Sequence, residues 1–82
     1  MELRHLRYFV AIAEERSFSR AAARLNVAQP PLSQQIRRLE RDLGYEVFER
    51  TPKGVMLTRA GEVLLEHAYG VLDAAANAAS AS

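Results

Sequence analysis

The sequence predicts a mainly α-helical fold: three helices, a small two-stranded hairpin and a long final helix. Two observations predict it. Apolar residues recur at every third or fourth position along most of the chain, which is the period of one helix face. Between a glycine at position 44 and a threonine at position 58, short β-prone runs separated by turn residues replace that period. At 82 residues the chain has the size of one domain.

The first two helices are predicted by apolar spacing and by end signals. Leu3, Leu6 and Val10 recur at spacings of three and four, which places them on one face of a helix. Ser17 has the side chain of an N-cap residue, and Asn26 tolerates the left-handed turn that ends many helices. A short second helix is therefore expected between Ser17 and Asn26.

A third helix is predicted after a tight connection at positions 27–29. Pro30 and Pro31 suit its first turn, where the backbone N–H groups need no helical partner. An aliphatic stripe repeats at spacings of four, three and four from position 32 onward, and Gly44 stops the helix. The opposite face holds Pro30, Gln34, Arg37, Arg38 and Arg41, with Ser33 on its shoulder.

The charge of the chain differs between its two halves. Residues 1–41 carry eight basic and four acidic side chains, whereas residues 42–82 carry three and six. Ten of the 11 basic residues are arginine, whose planar guanidinium pairs with phosphate and with guanine. A GC-rich genome would enrich arginine as well, so the position of the arginines must decide between genome composition and an anionic partner. The third helix concentrates them on one face, which favours an anionic partner.

A hairpin is predicted after the third helix. Runs 45–50 and 55–57 are β-prone, and positions 51–54 between them carry turn residues, with Lys53 at the tip. A two-stranded hairpin is marginally stable alone, so this one is expected to pack on the helices.

The final helix carries an apolar stripe longer than the core that it could reach. Thr58 can cap this helix, which runs from Arg59 onward. The stripe consists of Leu64, Leu65, Ala68, Val71, Leu72 and Ala75. An exposed stripe normally finds a partner, and the simplest is the same helix of a second chain about a two-fold axis. The alternative is that the stripe folds back on its own head. Positions 74–82 form either a frayed end or a helix that is cut short.

Several classes of protein are excluded or unsupported. The chain has no cysteine, which excludes disulfides and thiolate metal sites. No run approaches the roughly 20 apolar residues of a membrane span, and the N-terminus lacks the apolar core of a signal peptide, so a cytoplasmic location is expected. His5 and His67 stand alone, without a glycine-rich phosphate loop or an activated nucleophile. No catalytic residue, no metal and no cofactor are predicted.

A short helix, a three-residue turn and a second helix with an arginine-rich face form the pattern of a helix-turn-helix. The second helix of that motif enters the major groove of duplex DNA with its N-terminal residues on base edges. Gln29 and Gln34 can pair with adenine. Pro30 and Pro31 can contact thymine methyl groups. The predicted backbone contacts are Ser33, Arg37, Arg38, Arg41 and Lys53, the last on a phosphate or in the minor groove.

Four runs of residues form a dense pattern. They are Leu6-x-x-Phe9, Ser17-Phe18-Ser19-Arg20-Ala21-Ala22-x-x-Leu25-Asn26-Val27, Gln29-Pro30-Pro31-Leu32-Ser33-x-Gln35-Ile36-x-x-Leu39-Glu40-x-x-Leu43-Gly44 and, after Phe48-Glu49-Arg50, Leu57-Thr58-x-Ala60-Gly61. Together they resemble the N-terminal DNA-binding domain of the LysR-type transcriptional regulators, over essentially the whole chain. The opening residues, 1–11, look most like members that control aromatic-compound catabolism.

The resemblance implies a winged helix-turn-helix over residues 1–58, with the hairpin as its wing, followed by a linker and dimerisation helix over residues 59–82. It implies double-stranded DNA as the partner, bound by a homodimer with antiparallel linker helices on an interrupted palindrome, and a tetramer in the full-length protein. A small-molecule inducer would act only through an effector-binding domain, which is expected to be missing from these 82 residues. The expected location is the bacterial cytoplasm, at the nucleoid.

Two positions depart from the commonest pattern of that family. Ala28 stands where a serine N-cap is frequent, so the third helix is expected to begin at Gln29 or to rely on Pro30. Gln34 stands where many members have arginine, which would favour guanine, so the base preference at that step is open. The alternative function is a winged-helix protein-interaction module that holds a partner without binding DNA.

Overall fold

The computed structural model describes residues 2–80 and contains four helices and one hairpin. The elements are α1 (Leu3–Glu15), α2 (Phe18–Leu25), α3 (Gln29–Leu43), β1 (Phe48–Thr51), β2 (Gly54–Leu57) and α4 (Arg59–Ser80). The predicted mainly α-helical architecture with a two-stranded wing is confirmed. Met1, which opens the predicted segment 1–58, and Ala81 and Ser82, which close the predicted segment 59–82, lie outside the described residues.

Helix ends follow the local chemistry of the residues that flank them. The hydroxyl oxygen of Ser17 accepts the backbone amide of Arg20 at 3.1 Å, which caps α2. Asn26 and Gly44 end α2 and α3 in the left-handed conformation, with φ of 59° and 84°. Helix α3 begins at Gln29 without a side-chain cap, as its alanine N-cap predicts, and its first turn holds two prolines instead.

The wing is shorter than predicted. Strand β1 begins at Phe48 rather than at position 45, and the Thr51–Gly54 pair leaves a two-residue turn. The reason lies one step beyond the Phe48–Leu57 pair, where Val47 stands opposite Thr58. The Val47 amide donates to the Glu40 carboxylate at 2.8 Å, and the Val47 carbonyl accepts the Thr58 amide at 3.0 Å. The return bond of that pair is absent, because the Val47 amide is taken by Glu40 and the Thr58 carbonyl accepts the Glu62 amide at 2.9 Å, so the strand ends here and Val47 joins α3 to the start of α4.

The core lies around α1, against which α2, α3 and α4 all pack. Its fully buried large side chains are Phe9, Ile12, Leu32, Leu39 and Val47. The wing is anchored through Phe48, whose ring lies 5.2 Å from that of Phe9 and 6.0 Å from that of Phe18. Burying a phenylalanine contributes roughly 1.5–3 kcal/mol, so this contact fixes a hairpin that would be marginal alone.

The first turn of α4 is tied to the segment before the wing. Thr58 Oγ1 donates to the Glu46 carbonyl at 2.8 Å and accepts the Gly61 amide at 3.0 Å, so Thr58 caps α4 as predicted. Gly61 allows this close approach, because a Cβ at that position would collide with the carbonyl oxygen of Val47.

Much of the predicted α4 stripe packs on its own head. Ala68 is 1% exposed within the core, and Leu64, Leu65 and Leu72 pack against that core while partly buried. Ala68 is therefore not available to a second chain, which corrects its assignment to the dimerisation stripe. Val71 is 44% exposed and faces away from the head. The alternative in which the stripe folds back accounts for the first half of α4.

Candidate nucleic-acid interface

The face of α3 that points away from the core carries the predicted site. Leu32, Ile36 and Leu39 are 0–2% exposed and hold one side of the helix against the core. Because those residues fix the rotation of the helix, the opposite residues must face solvent. The exposed members are Gln29, Pro30, Pro31, Gln34, Arg37, Arg38 and Arg41, and Ser33 is half-buried beside them.

The N-terminal end of α3 offers few backbone donors. Pro30 and Pro31 have no N–H group, and Ala28 provides no side-chain cap. This end of the helix therefore presents apolar rings and the Gln29 amide rather than an anion-binding turn. The hydroxyl of Ser19, near the start of α2, donates to Gln29 Oε1 at 3.3 Å. Sequence reasoning missed this contact, which orients the side chain of Gln29.

The arginines of α3 differ from those of α2 in their partners. Arg20 and Arg24 on α2 lie within ion-pair distance of Glu15, and Arg24 also pairs with Glu14 at 2.7 Å. Within residues 2–80, Arg37, Arg38 and Arg41 form no ion pair. The α3 guanidinium groups are therefore free to meet an external anion, whereas the charge of α2 is largely neutralised.

The wing carries two further cations, Arg50 and Lys53. Lys53 is exposed at the two-residue tip, which is fixed by hydrogen bonds: Thr51 Oγ1 donates to the Gly54 carbonyl at 2.8 Å and accepts the Lys53 amide at 3.2 Å. The guanidinium of Arg50 lies 4.4 Å from the centre of the Phe18 ring, a cation–π contact. Sequence reasoning missed Arg50, because a strand arginine carries no signal of its own.

An open groove of about 930 Å³ separates the C-terminal half of α3 from β1. Its charged lining residues are Arg37, Arg41, Arg50, Glu40, Glu46 and Glu49. Cations and carboxylates are thus equal in number along the groove. The carboxylates disfavour a phosphate on the groove floor, so the cationic character lies on the outer face of α3 and at the wing tip.

The two histidines lie on different helices. His5 belongs to α1, where its Nδ1 accepts the Glu2 amide at 3.4 Å, and His67 is exposed on α4. Among residues 2–80 no group of three or more histidine, aspartate or glutamate side chains could hold a metal ion. In the same part of the chain, no helix is long and apolar enough to cross a membrane.

A family model described as "Bacterial regulatory helix-turn-helix protein, lysR family" matches residues 3–62. The transcriptional regulator BudR of Klebsiella aerogenes is 58% identical over 72 residues, which cover 88% of this chain and 50% of that protein. AlsR of Bacillus subtilis is 58% identical over 67 residues, which cover 82% of this chain and 22% of that protein. The chain thus spans half or less of the length of these relatives.

Solved structures with the same fold include complexes with DNA. The complex of BenM_DBD with catB site 1 DNA has a protein chain that is 48% identical, with a TM-score of 0.94 over 98% of this chain and 90% of that chain. The CbnR_DBD–DNA complex gives 44% identity and a TM-score of 0.93 over 98% and 92% of the two chains. Full-length CbnR with its target DNA gives 44% identity and a TM-score of 0.92, over 98% of this chain and 28% of that one.

Proposed function

The chain belongs to the lysR family of bacterial regulatory helix-turn-helix proteins, and on this basis we propose that it binds duplex DNA with α3 in the major groove. The observation that carries the proposal is the row of unpaired guanidinium groups on the exposed face of α3. A helix held by a buried stripe with a cationic face outward has the geometry of a recognition helix. The fold that it shares with BenM_DBD and CbnR_DBD, both of them in complexes with DNA, supports the same function.

The contacts divide into two classes along α3. Gln29 and Gln34, on the exposed face, read base edges, and the rings of Pro30 and Pro31 contact thymine methyl groups. The backbone contacts are Ser33, Arg37, Arg38 and Arg41 on α3 and Lys53 at the wing tip. This division follows from position, because the N-terminal residues of a recognition helix lie deepest in the groove.

Binding titrations at several salt concentrations test this function. The probe is a duplex selected by this chain from random DNA, followed by fluorescence anisotropy. Replacing Arg37, Arg38 or Lys53 with Gln should weaken specific and non-specific binding alike and lower the salt slope by about 1 for each lost phosphate contact. Arg4→Gln serves as the matched control, because Arg4 already pairs with Glu2 at 3.3 Å.

Two outcomes would contradict the proposal. If no duplex is enriched over random DNA, the DNA-binding proposal is wrong, and the alternative function, a protein-interaction module, is favoured. If an arginine variant changes base preference and leaves the salt slope unaltered, that arginine reads bases and its assignment to phosphate is wrong.

We propose that the DNA-bound form is a homodimer joined through α4. At 100° per residue one side of α4 carries Val63, His67, Gly70, Val71, Ala74 and Ala78 and no acidic, lysine or arginine residue, and Val63 and Val71 are 47% and 44% exposed. The acidic residues Glu62, Glu66 and Asp73 lie on another side. The side that carries Val71, with Ala75 at its edge, suits the same helix of an antiparallel second chain, whereas Leu72 lies on the side that packs against the head. The two recognition helices would then meet half-sites about one DNA turn apart.

For the complete protein we propose further parts outside these residues. Residues 1–58 serve as the DNA-binding head and residues 59–82 as the linker, in a tetramer whose small-molecule inducer is bound by a separate effector domain. The relatives that it matches are transcriptional regulators, and we assign no catalytic residue, metal or cofactor to this chain. The proposed location is the bacterial cytoplasm, at the nucleoid.

A further inference from the structure

A chain of polar contacts joins three helices at one end of the head. The Tyr69 hydroxyl on α4 donates a hydrogen bond to Glu14 Oε2 on α1 at 2.5 Å. The other carboxylate oxygen of Glu14 lies 2.7 Å from a guanidinium nitrogen of Arg24 on α2. We call Tyr69, Glu14 and Arg24 the helix bridge. It connects residues 55 positions apart in the sequence.

Within the helix bridge, the Glu14 carboxylate lies between a cation, Arg24, and a hydroxyl donor, Tyr69. The hydrogen bond from Tyr69, and then the one from Arg24, lower the pKa of Glu14 below its ordinary value of 4.5. The same hydrogen bond raises the pKa of Tyr69. At neutral pH Glu14 is therefore ionised and Tyr69 keeps its proton, which makes both contacts charge-assisted.

The helix bridge also reaches the recognition helix through α2. Arg24 pairs with Glu15 at 3.3 Å as well as with Glu14, so the C-terminal half of α2 is held to α1. Near the other end of α2, Ser19 donates to Gln29, the first residue of α3. Polar contacts therefore link α4 to α1, α1 to α2, and α2 to the first residue of α3.

Beyond its tied first turn, α4 meets the head mainly through apolar side chains, to which Tyr69 adds a hydrogen bond. Past its first turn, α4 packs on the head through aliphatic side chains such as Leu65 and Leu72. Apolar burial is non-directional and tolerates small rotations of one element on another. A hydrogen bond loses its energy when its angle changes. Tyr69 therefore supplies the direction that the aliphatic contacts lack.

We propose that Tyr69 is a positioning residue for operator recognition: through the helix bridge it fixes the angle between α4 and the head, and thereby the separation of the two recognition helices in the dimer. This inference rests on the proposed function. The molecule is 44 Å long in its longest dimension. A rotation of roughly 10° over a lever of about 20 Å moves a recognition helix by about 3.5 Å, close to the rise of one base pair.

The first experiment measures the angle without DNA. The chain has no cysteine, so Ala23→Cys on α2 and Asn77→Cys on α4, both at exposed positions, each accept one nitroxide spin label. Pulsed electron paramagnetic resonance then gives their separation in labelled protein diluted with unlabelled protein. Tyr69→Phe keeps the ring and removes only the hydroxyl, and it should broaden or shift the distance distribution. Tyr8→Phe, which removes the same atom from a partly buried tyrosine outside the bridge, should leave the distribution unchanged.

The second experiment measures spacing preference. The probes are the duplex selected from random DNA by the unmodified chain, versions with one base pair added or removed between the half-sites, and an isolated half-site. Tyr69→Phe should reduce discrimination between the spacings by about fivefold, the lower end of typical coupling between sites. Affinity for the isolated half-site should not change. Glu14→Gln should act in the same direction, because it removes the ion pair with Arg24.

Each contrary result has a distinct meaning. An unchanged distance distribution in Tyr69→Phe overturns the proposal, whatever the DNA results. Equal losses on half-site and full-site DNA also overturn it, because the helix bridge would then only hold the head together. If the unmodified chain binds no duplex, the proposed function and the role in spacing both fail. The distance measurement then separately shows whether the helix bridge sets the angle.

Discussion

Gln29 and Gln34 lie on the same face of α3 but differ in their freedom to move. The side-chain oxygen of Gln29 is held by the Ser19 hydroxyl, whereas the side chain of Gln34 is exposed and has no hydrogen-bond partner within residues 2–80. A side chain that is already oriented loses less conformational entropy when it binds. We therefore expect Gln29 to be pre-organised for one base and Gln34 to adapt to the sequence that it meets.

Replacing Gln29 or Gln34 with Ala should cost roughly 1–3 kcal/mol of binding to the preferred duplex and relax the base choice at one step. Ser19→Ala should cost less, because it removes the orientation of Gln29 and leaves the amide in place. Anisotropy titrations on a panel of single-base variants measure both effects. A preference profile unaltered in both glutamine variants would show that neither side chain contacts a base.

Glu14 makes the stability of the chain sensitive to acid. Its pKa lies below the ordinary 4.5 because Tyr69 and Arg24 stabilise the ionised form. A carboxyl with a lowered pKa stabilises the fold above its unfolded-state pKa, and that contribution is lost as the pH falls through the lowered value. The free energy of urea unfolding should therefore be larger for the unmodified chain than for Glu14→Gln at about pH 7, and the difference should shrink as the pH falls below 4.5 and through the lowered pKa of Glu14. A difference that is constant over this range would contradict the role of the ionised carboxylate.

Residue-level signals predict contacts between neighbours and miss contacts between distant residues. Ser17 and Asn26 act as predicted, because a cap depends only on the residues beside it. No local spacing indicates that Glu14 meets Tyr69 or that Glu40 accepts the amide of Val47, since these pairs are made by tertiary packing. The exposed face of α3 was predictable for the same reason as the caps, because helix periodicity fixes it.

At the level of elements, α4 contains two glycines in contrasting surroundings. Gly61 lies under the Val47 carbonyl, whereas a Cβ at Gly70 would have nothing within 4 Å. Gly70→Ala should stabilise the chain by up to about 1 kcal/mol through helix propensity. Gly61→Ala should destabilise it by roughly 1–3 kcal/mol, because the added methyl forces the Val47 segment away.

The two variants act as controls for each other, since both make the same substitution in the same helix. Urea unfolding should be measured at a concentration where sedimentation shows a monomer, because Gly70 lies on the proposed dimer face. Equal effects of the two substitutions would show that α4 does not approach Val47 as closely as the structure places it.

The boundaries of the helices were easier to predict than those of the strands. Helices α2 and α3 end at residues whose backbone preferences are visible in the sequence. The start of β1 depends instead on which partners take the backbone groups of Val47, and those partners belong to α3 and to the start of α4. The apolar stripe of α4 was visible in the sequence. Which of its residues pack on the head and which face solvent depends on how far the core reaches, and the sequence does not indicate this.

For the whole molecule, exposed cationic and acidic faces belong to different helices. In the described part of the chain, three arginines without an ion pair share one face of α3, and Glu62, Glu66 and Asp73 share one face of α4. Such a separation orients this protein as it approaches a polyanion and raises the rate of productive encounters. The net charge of +1 conceals this arrangement, because it sums the charges of both helices with those of the rest of the chain.

The proposed dimer is best tested at Val71, since Leu65 and Leu72 also pack on the head and their replacement would damage the monomer. Val71→Glu should abolish the two-chain complex on full-site duplex and spare half-site binding, because it places a charge in the apolar interface. Asp73→Lys, on another side of α4, is the control. Analytical ultracentrifugation with full-site and half-site duplexes measures the stoichiometry. A complex of one chain with one full site at saturation, formed by the unmodified protein, would rule out the dimer.

The backbone of Val47 has a consequence for the order in which the molecule opens. The Val47 carbonyl accepts the amide of Thr58 at the start of α4, and the Val47 amide donates to the carboxylate of Glu40 on α3. Neither helix can release this segment without disturbing the other, so the head and the first turns of α4 form one cooperative unit, while the exposed end of α4 can open alone. In hydrogen–deuterium exchange, the amides of Val47 and Thr58 should exchange only through global unfolding. Amides beyond position 75 should exchange much earlier, and equal protection along α4 would contradict this hierarchy.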